Sequence, residues 1–143
     1  MNEHTVRQWL RKAENDRKIA RRELARPDAI TDAVCFHAQQ YCEKYLKAFL
    51  IYHGAEYPKT HDLSRLIELC VRIDDQFHIL HEWQVHRLTR YATVARYDVV
   101  FFPSLEEAQA ALELAEKASD FVRQRLLEKG FDTEGTIESS ETE

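Results

Sequence analysis

Arg72 and His78 are the only arginine and histidine in the chain at the spacing that phosphodiester chemistry favours, an arginine followed by four to six residues and then a histidine. A guanidinium there would neutralise a phosphate, and an imidazole, which titrates near neutral pH, would move the proton. With seven histidines in the sequence, one such match is expected by chance. Further along, His78, Glu82 and His86 follow at i, i+4 steps. That face offers metal-ligand types, but about 12 Å of helical rise separates the outer pair, so one ion would need ligands from elsewhere and no metal is expected. Neither a G-x-x-x-x-G-K-[ST] loop nor a G-x-G-x-x-G turn occurs, and no Ser or Cys stands beside a base. Phosphates would therefore be held by side chains such as Lys44, Lys47 and Arg96 or by helix N-termini, and no cofactor is implied.

The densest polar pattern lies in HAQQYCEKYLKAFL, residues 37–50. At 100° per residue, His37, Gln40, Glu43, Lys44 and Lys47 fall within a sector of roughly 120°, and Val34, Ala38, Tyr41, Tyr45, Leu46 and Phe49 cover the rest. One reading is a solvent-facing stripe with a Glu43–Lys47 pair worth about 0.2–0.5 kcal/mol. The other is a stripe turned to a ligand groove or a partner. Gln39 sits in the apolar sector and needs a hydrogen-bond partner on another helix, because a buried amide left unpaired costs about 1–3 kcal/mol.

The elements that must position these residues are helical. Three glycines and three prolines interrupt a chain rich in Ala, Leu, Glu, Arg and Lys. Thr5 with Gln8 has the form of a capping box for a helix to about Ala25, on whose inward stripe Asp16 also falls, an acid that must be paired or solvated. Pro27 and Asp28 break the chain before a second helix ending near His53, with Gly54 as its stop. Thr60 is a candidate N-cap for a third helix, and Asp74 or Asp75 for a fourth that carries Phe77, Leu80, Trp83 and Leu88. TRYATVARYDVVFFP then reads as irregular. Ser104 with Glu107 opens a last helix whose seam is Leu105, Ala108, Leu112, Ala115, Ser119, Val122 and Leu126. The expectation is an all-α, up-and-down antiparallel bundle of four to five helices, one domain over residues 1–130.

Charge divides along the chain. The formal net charge is −5, and the tail from residue 131 to 143 holds five acids without Lys or Arg, so residues 1–130 are balanced and the tail is expected to be disordered. Eight basic residues stand against four acids in the first 26, an excess that attracts phosphates or simply faces solvent. Cys35, Cys42 and Cys70 are an odd number among apolar neighbours and read as reduced packing residues. No apolar run approaches the roughly 20 residues of a membrane span, which makes the cytoplasm the expected location.

Three runs in order, FHAQQYCEKYLKAFL, KTHDLSRLIELC, and ARYD ahead of PSLEEAQAALELAEKASDFV, resemble the HEPN domain family over about residues 6–127. The resemblance implies a small helical bundle, usually a homodimer, often the partner subunit of a minimal nucleotidyltransferase in a toxin–antitoxin-like pair, with a nucleotide or RNA phosphate as ligand. It also implies a cleft lined by Gln40, Glu43, Lys44, Lys47, His61, Asp62, Arg96 and Tyr97. Catalytic branches of the family are ribonucleases with an Arg, four to six residues, then His motif. Here the corresponding segment runs from Arg90 to Arg96, with Ala95 and Arg96 where a histidine is wanted, so the expected function is binding rather than catalysis. A metal-independent ribonuclease toxin acting through Arg72 and His78, or through an arrangement around Arg90 and Arg96, is the alternative. A helical dimerisation adaptor with the Glu43–Lys47 stripe as its seam is the other.

Overall fold

The structure, a computed structural model, describes residues 2–97 and 99–133, and the side chains at 94–97 lie outside the described set. Six α-helices and no strand form among the described residues: α1 Glu3–Leu24, α2 Thr31–Tyr52, α3 Leu63–Ile73, α4 His78–Glu82, α5 Arg90–Tyr97 and α6 Leu105–Glu128, with 3-10 turns at Asp75–Phe77 and Val85–Thr89. The all-α bundle expected from composition is therefore what the chain forms.

Helix α2 is the centre. It packs against α1, α3, α5 and α6, and its Tyr45, Leu46, Phe49 and Leu50 are sealed from solvent. Each such side chain contributes about 1.5–3 kcal/mol by leaving water. Helix α1 brings Val6, Leu10, Ala13 and Ala20 to that core at helical spacing. Helix α6 brings Ala108, Leu112, Ala115, Val122 and Leu126, and its alanines let the backbones approach closely. Leu105, expected at the head of this seam, is instead 51% exposed. Phe77 closes one end of the core, 4.4 Å from Phe49 and 5.2 Å from Phe121 between ring centroids.

The helix starts depart from the sequence reading in instructive ways. Thr5 lies inside α1, whose N-cap is Asn2. Asn2 reaches across to the carbonyl of Ile51 at the far end of α2. Helix α2 begins at Thr31 without a side-chain cap, and the Glu23 carboxylate accepts the Ile30 N–H in its place. Asp62, not Thr60, caps α3 by accepting from Ser64 N–H at 3.0 Å. Asp74 and Ser104 cap as expected, and Gly54 ends α2 at φ +69°, where a side chain would be strained.

The expected fourth helix is split, because Gln84 adopts a left-handed conformation, φ 58°, between α4 and the turn that leads into α5. His86 is thereby taken off the helix of His78 and Glu82, and no group of three potential metal ligands comes together among the described residues. Arg90 to Tyr97, read as irregular, is helical. Phe131 and Thr133, assigned to the tail, are buried, Phe131 against Tyr52 with the Arg7 guanidinium 4.6 Å from its ring centroid. Residues 134–143 of the acidic tail lie outside the described residues. The three cysteines are buried free thiols, and burial pushes Cys35 and Cys42 up to about 12. No helix among the described residues is long and apolar enough to cross a membrane.

Candidate functional site

Glu43 and Lys47 of the polar stripe of α2 are buried, and His37, Gln40 and Lys44 are half-buried. The stripe lies against α1 and the segment before α3, organised around two buried carboxylates, Asp16 at 6% and Glu43 at 3% exposure. Asp16 receives the Lys44 ammonium on one oxygen and His37 Nδ1, at 2.8 Å, on the other. Glu43 accepts from Lys47 Nζ at 2.9 Å, from Gln39 Nε2 at 2.9 Å and from His61 Nδ1 at 2.8 Å. Burying a carboxylate is tolerable only with such partners, because an unpaired buried charge is far more costly than a paired one. The Asp16 partner predicted from another helix is thus found. Gln39, by contrast, bonds within α2 and to the His61 carbonyl at 3.3 Å, while Gln40 donates to Gln39 Oε1 at 2.6 Å.

An ionised carboxylate only accepts hydrogen bonds, so Nδ1 of His61 and of His37 carries the proton. Nε2 of each ring is then the atom turned away from the carboxylate. The His61 side chain is 53% exposed and His37 25%. A ring oriented from behind by a carboxylate and open in front can accept or deliver a proton, or hold a phosphate oxygen when charged.

Lys47 has another role. At 8% exposure its ammonium sits between Glu43 and two rings, 5.8 Å from the Trp9 centroid and 5.7 Å from that of Tyr57, which meet edge to face. It is an internal counter-charge that braces the aromatic pair. On the other side of Trp9, His4, Thr5, Gln8, Lys12 and Lys44 complete a pocket of about 450 Å³, within the usual range for small-molecule sites. Lys12 is exposed and makes no ion pair among the described residues.

Of the residues expected at the site, Gln40, Glu43, Lys44, Lys47 and His61 are brought together, and Asp62 is adjacent but committed to capping α3. Arg96 and Tyr97 lie outside the described side chains. Arg72 and His78 are both exposed, with Asp74 between them turned inward to Arg125 at 2.7 Å, and the nearest ring to His78 is His81. Sequence reasoning missed His37 as the partner of Asp16, and missed Trp9 and Tyr57. The Asp16 position carried a signal, being an acid on an inward stripe, whereas nothing in the sequence marks Tyr57.

The family model of the HEPN domain matches residues 6–125, from the first turn of α1 almost to the end of α6. The chain belongs to the HEPN domain family. No curated protein and no solved structure matches it. Membership makes this a helical module of the nucleotide- and RNA-related kind. In this HEPN domain the matched span contains Asp16 and Glu43, both oriented histidines, and Gln8, Trp9, Lys12 and Lys44 of the Trp9 pocket.

Proposed function

We propose that this HEPN module binds a nucleotide or an RNA phosphate at the Trp9 pocket and acts as the homodimeric partner subunit of a minimal nucleotidyltransferase in a toxin–antitoxin-like pair. The observation that carries the binding site is the convergence of Lys12 and Lys44 on one pocket with the indole of Trp9. A base stacks on an aromatic face, and each stacked base is worth about 1–3 kcal/mol in single-strand binders, while ammonium groups hold the phosphate. Thr5 and Gln8 supply neutral donors on the same wall. The partner role follows the family resemblance and is supported by the apolar strip Val99, Val100 and Phe102, each more than three-quarters exposed, of the kind that marks protein interfaces.

Calorimetric titration with ribose 5-phosphate, a nucleoside monophosphate and a short oligouridine tests the ligand half. Heat lost in Lys12→Ala and Trp9→Phe supports it, and no heat with any of the three ends it. Co-purification with a minimal nucleotidyltransferase, lost in Phe102→Asp, tests the partner half.

A second reading has its own observation. The Glu43–His61 pair supplies the oriented imidazole that the Arg90 to Arg96 segment lacks. A ribonuclease using it would cleave RNA in excess EDTA and lose cleavage in His61→Ala. Intact RNA with the wild type removes this reading.

A further inference from the structure

A second pocket opens on the opposite stretch of the bundle, between α6 and the segment from α4 to α5. It has a volume of about 450 Å³ and is lined by Trp83, Gln84, Arg87, Arg90, Tyr91, Glu107 and Ala110 among others, with the Arg90 guanidinium 5.7 Å from the Tyr91 ring centroid and 5.1 Å from that of Phe101. Ala110 and Ala111 stand between Glu107 and Leu114 on its α6 wall, and their small side chains leave the space that larger residues would fill. None of the residues of the Trp9 pocket takes part.

Its polar groups are placed and incompletely used. Tyr91, 7% exposed, donates its hydroxyl to Glu107 Oε2 at 2.7 Å and fixes that carboxylate. Glu107 Oε1 accepts nothing among the described residues. Arg87 is held by Gln84 Oε1 at 3.1 Å and has no carboxylate partner among the described residues, which leaves most of its guanidinium donors open there. Gln84 itself is the one non-glycine residue with positive φ among the described residues, a strained conformation that clusters at functional sites. The aromatic surface of Trp83 and Tyr91 completes a site for a flat ring with hydrogen-bonding edges.

A carboxylate beside two guanidinium groups, of which Arg90 is laid over the Tyr91 and Phe101 rings and Arg87 is the more open, asks for a ring with donors on one edge and acceptors on another. Guanine has them: N1–H and the N2 amino group face a carboxylate, and O6 with N7 accept from an arginine. Adenine and cytosine each offer one amino group beside an acceptor, and would set a ring nitrogen lone pair against the carboxylate. We propose that this cavity binds a guanine base, read by Glu107 and Arg87 and stacked on Trp83. The inference rests on the nucleotide-binding reading above for its ligand class and on none of that site's residues. A guanine of a free nucleotide and one in single-stranded RNA present the same edge.

The test is calorimetric titration of the full chain with guanosine, adenosine and cytidine, none of which carries a phosphate. Wild type, Glu107→Gln and Ala110→Phe are compared, the last of which adds a ring at the α6 wall and leaves the Glu107 and Arg87 side chains themselves unchanged. The expected result is guanosine binding at least about tenfold tighter than either competitor, the scale of one bidentate base contact. That preference should fall about tenfold in Glu107→Gln, and binding should vanish in Ala110→Phe. Absence of guanosine binding, indifference to the base, or full binding by Ala110→Phe overturns the proposal. Ribose 5-phosphate, run in parallel with Lys12→Ala, reads the Trp9 pocket alone, so that either site can fail while the other stands. An oligouridine with one central guanine, compared with guanosine monophosphate, identifies whether RNA or the free nucleotide is the tighter source.

Discussion

His61 Nδ1 lies 2.8 Å from Glu43 Oε1, and the half-exposed ring is held by a carboxylate that is itself almost wholly buried. This pairing ties the segment before α3 to the middle of α2 and turns the stripe into a support for surface groups. Glu43 is the keystone, since Lys47, Gln39 and His61 all converge on it. Glu43→Ala should cost about 3 kcal/mol or more in urea denaturation, because it leaves a buried ammonium without its counter-charge. Glu43→Gln, which keeps the side-chain shape and one of the two accepting oxygens, should cost less. A loss under about 1 kcal/mol for the alanine variant would mean that Lys47 finds water or another partner.

The second buried acid of α1 behaves in the opposite sense to an ion pair. Glu14 accepts the Tyr45 hydroxyl at 2.5 Å, and burial pushes its carboxyl above the usual value, an effect that the Tyr45 bond and the Arg17 and Arg123 charges only partly offset. A raised carboxyl binds its proton more tightly when folded, so stability falls as pH rises from the unfolded pKa through the folded one. Glu14→Gln should therefore raise the unfolding midpoint at about pH 7 and leave it nearly unchanged at about pH 3. An equal shift at both would show that charge burial is not the cause.

Asp74 has the reverse linkage. Burial alone would raise its carboxyl, but the Arg125 hydrogen bond, the Gln76 N–H and the Arg125 and Lys129 charges outweigh it and hold the group below its ordinary value. Its stabilisation is complete above the unfolded pKa and is lost as pH falls through the folded pKa. Asp74→Asn should cost about 2 kcal/mol near neutral pH, the scale of a hydrogen bond to a charged group. The difference from wild type should disappear in strong acid.

Phe131 sets the end of the core. It is 1% exposed and stacks edge to face on Tyr52 at 5.4 Å. Phe131→Ala should cost about 3–5 kcal/mol in chemical denaturation, the usual range for an emptied aromatic site. A neutral result would return this residue to the tail.

How much of this was legible depended on whether the cause was local. The Ser104 cap, the Gly54 stop and the seam of α6 from Ala108 to Leu126 are written in adjacent residues and were read correctly, while Leu105 at the head of that seam was not. Thr5 with Gln8 has the same form as Ser104 with Glu107, yet α1 starts before it. Asn2 gains a long-range bond to Ile51, which no short window contains. The left-handed turn at Gln84 and the helix at α5 were missed likewise, because glutamine has no preference for positive φ and the apolar spacing around it stays helical. At the site, the periodicity of α2 identified the stripe but not its direction. That direction was set by Asp16, one helix away, and by His61, eighteen residues on.

The most direct test is the salt dependence of oligouridine binding by wild type and Lys12→Ala, with fold integrity checked by circular dichroism. Lys12 is exposed and pairs with nothing among the described residues, so its loss should leave the bundle intact. The account predicts weaker binding and a slope of log affinity against log salt that is shallower by about 0.7, one phosphate contact on a single strand. Binding of unchanged strength and unchanged slope would contradict a phosphate site at the Trp9 pocket.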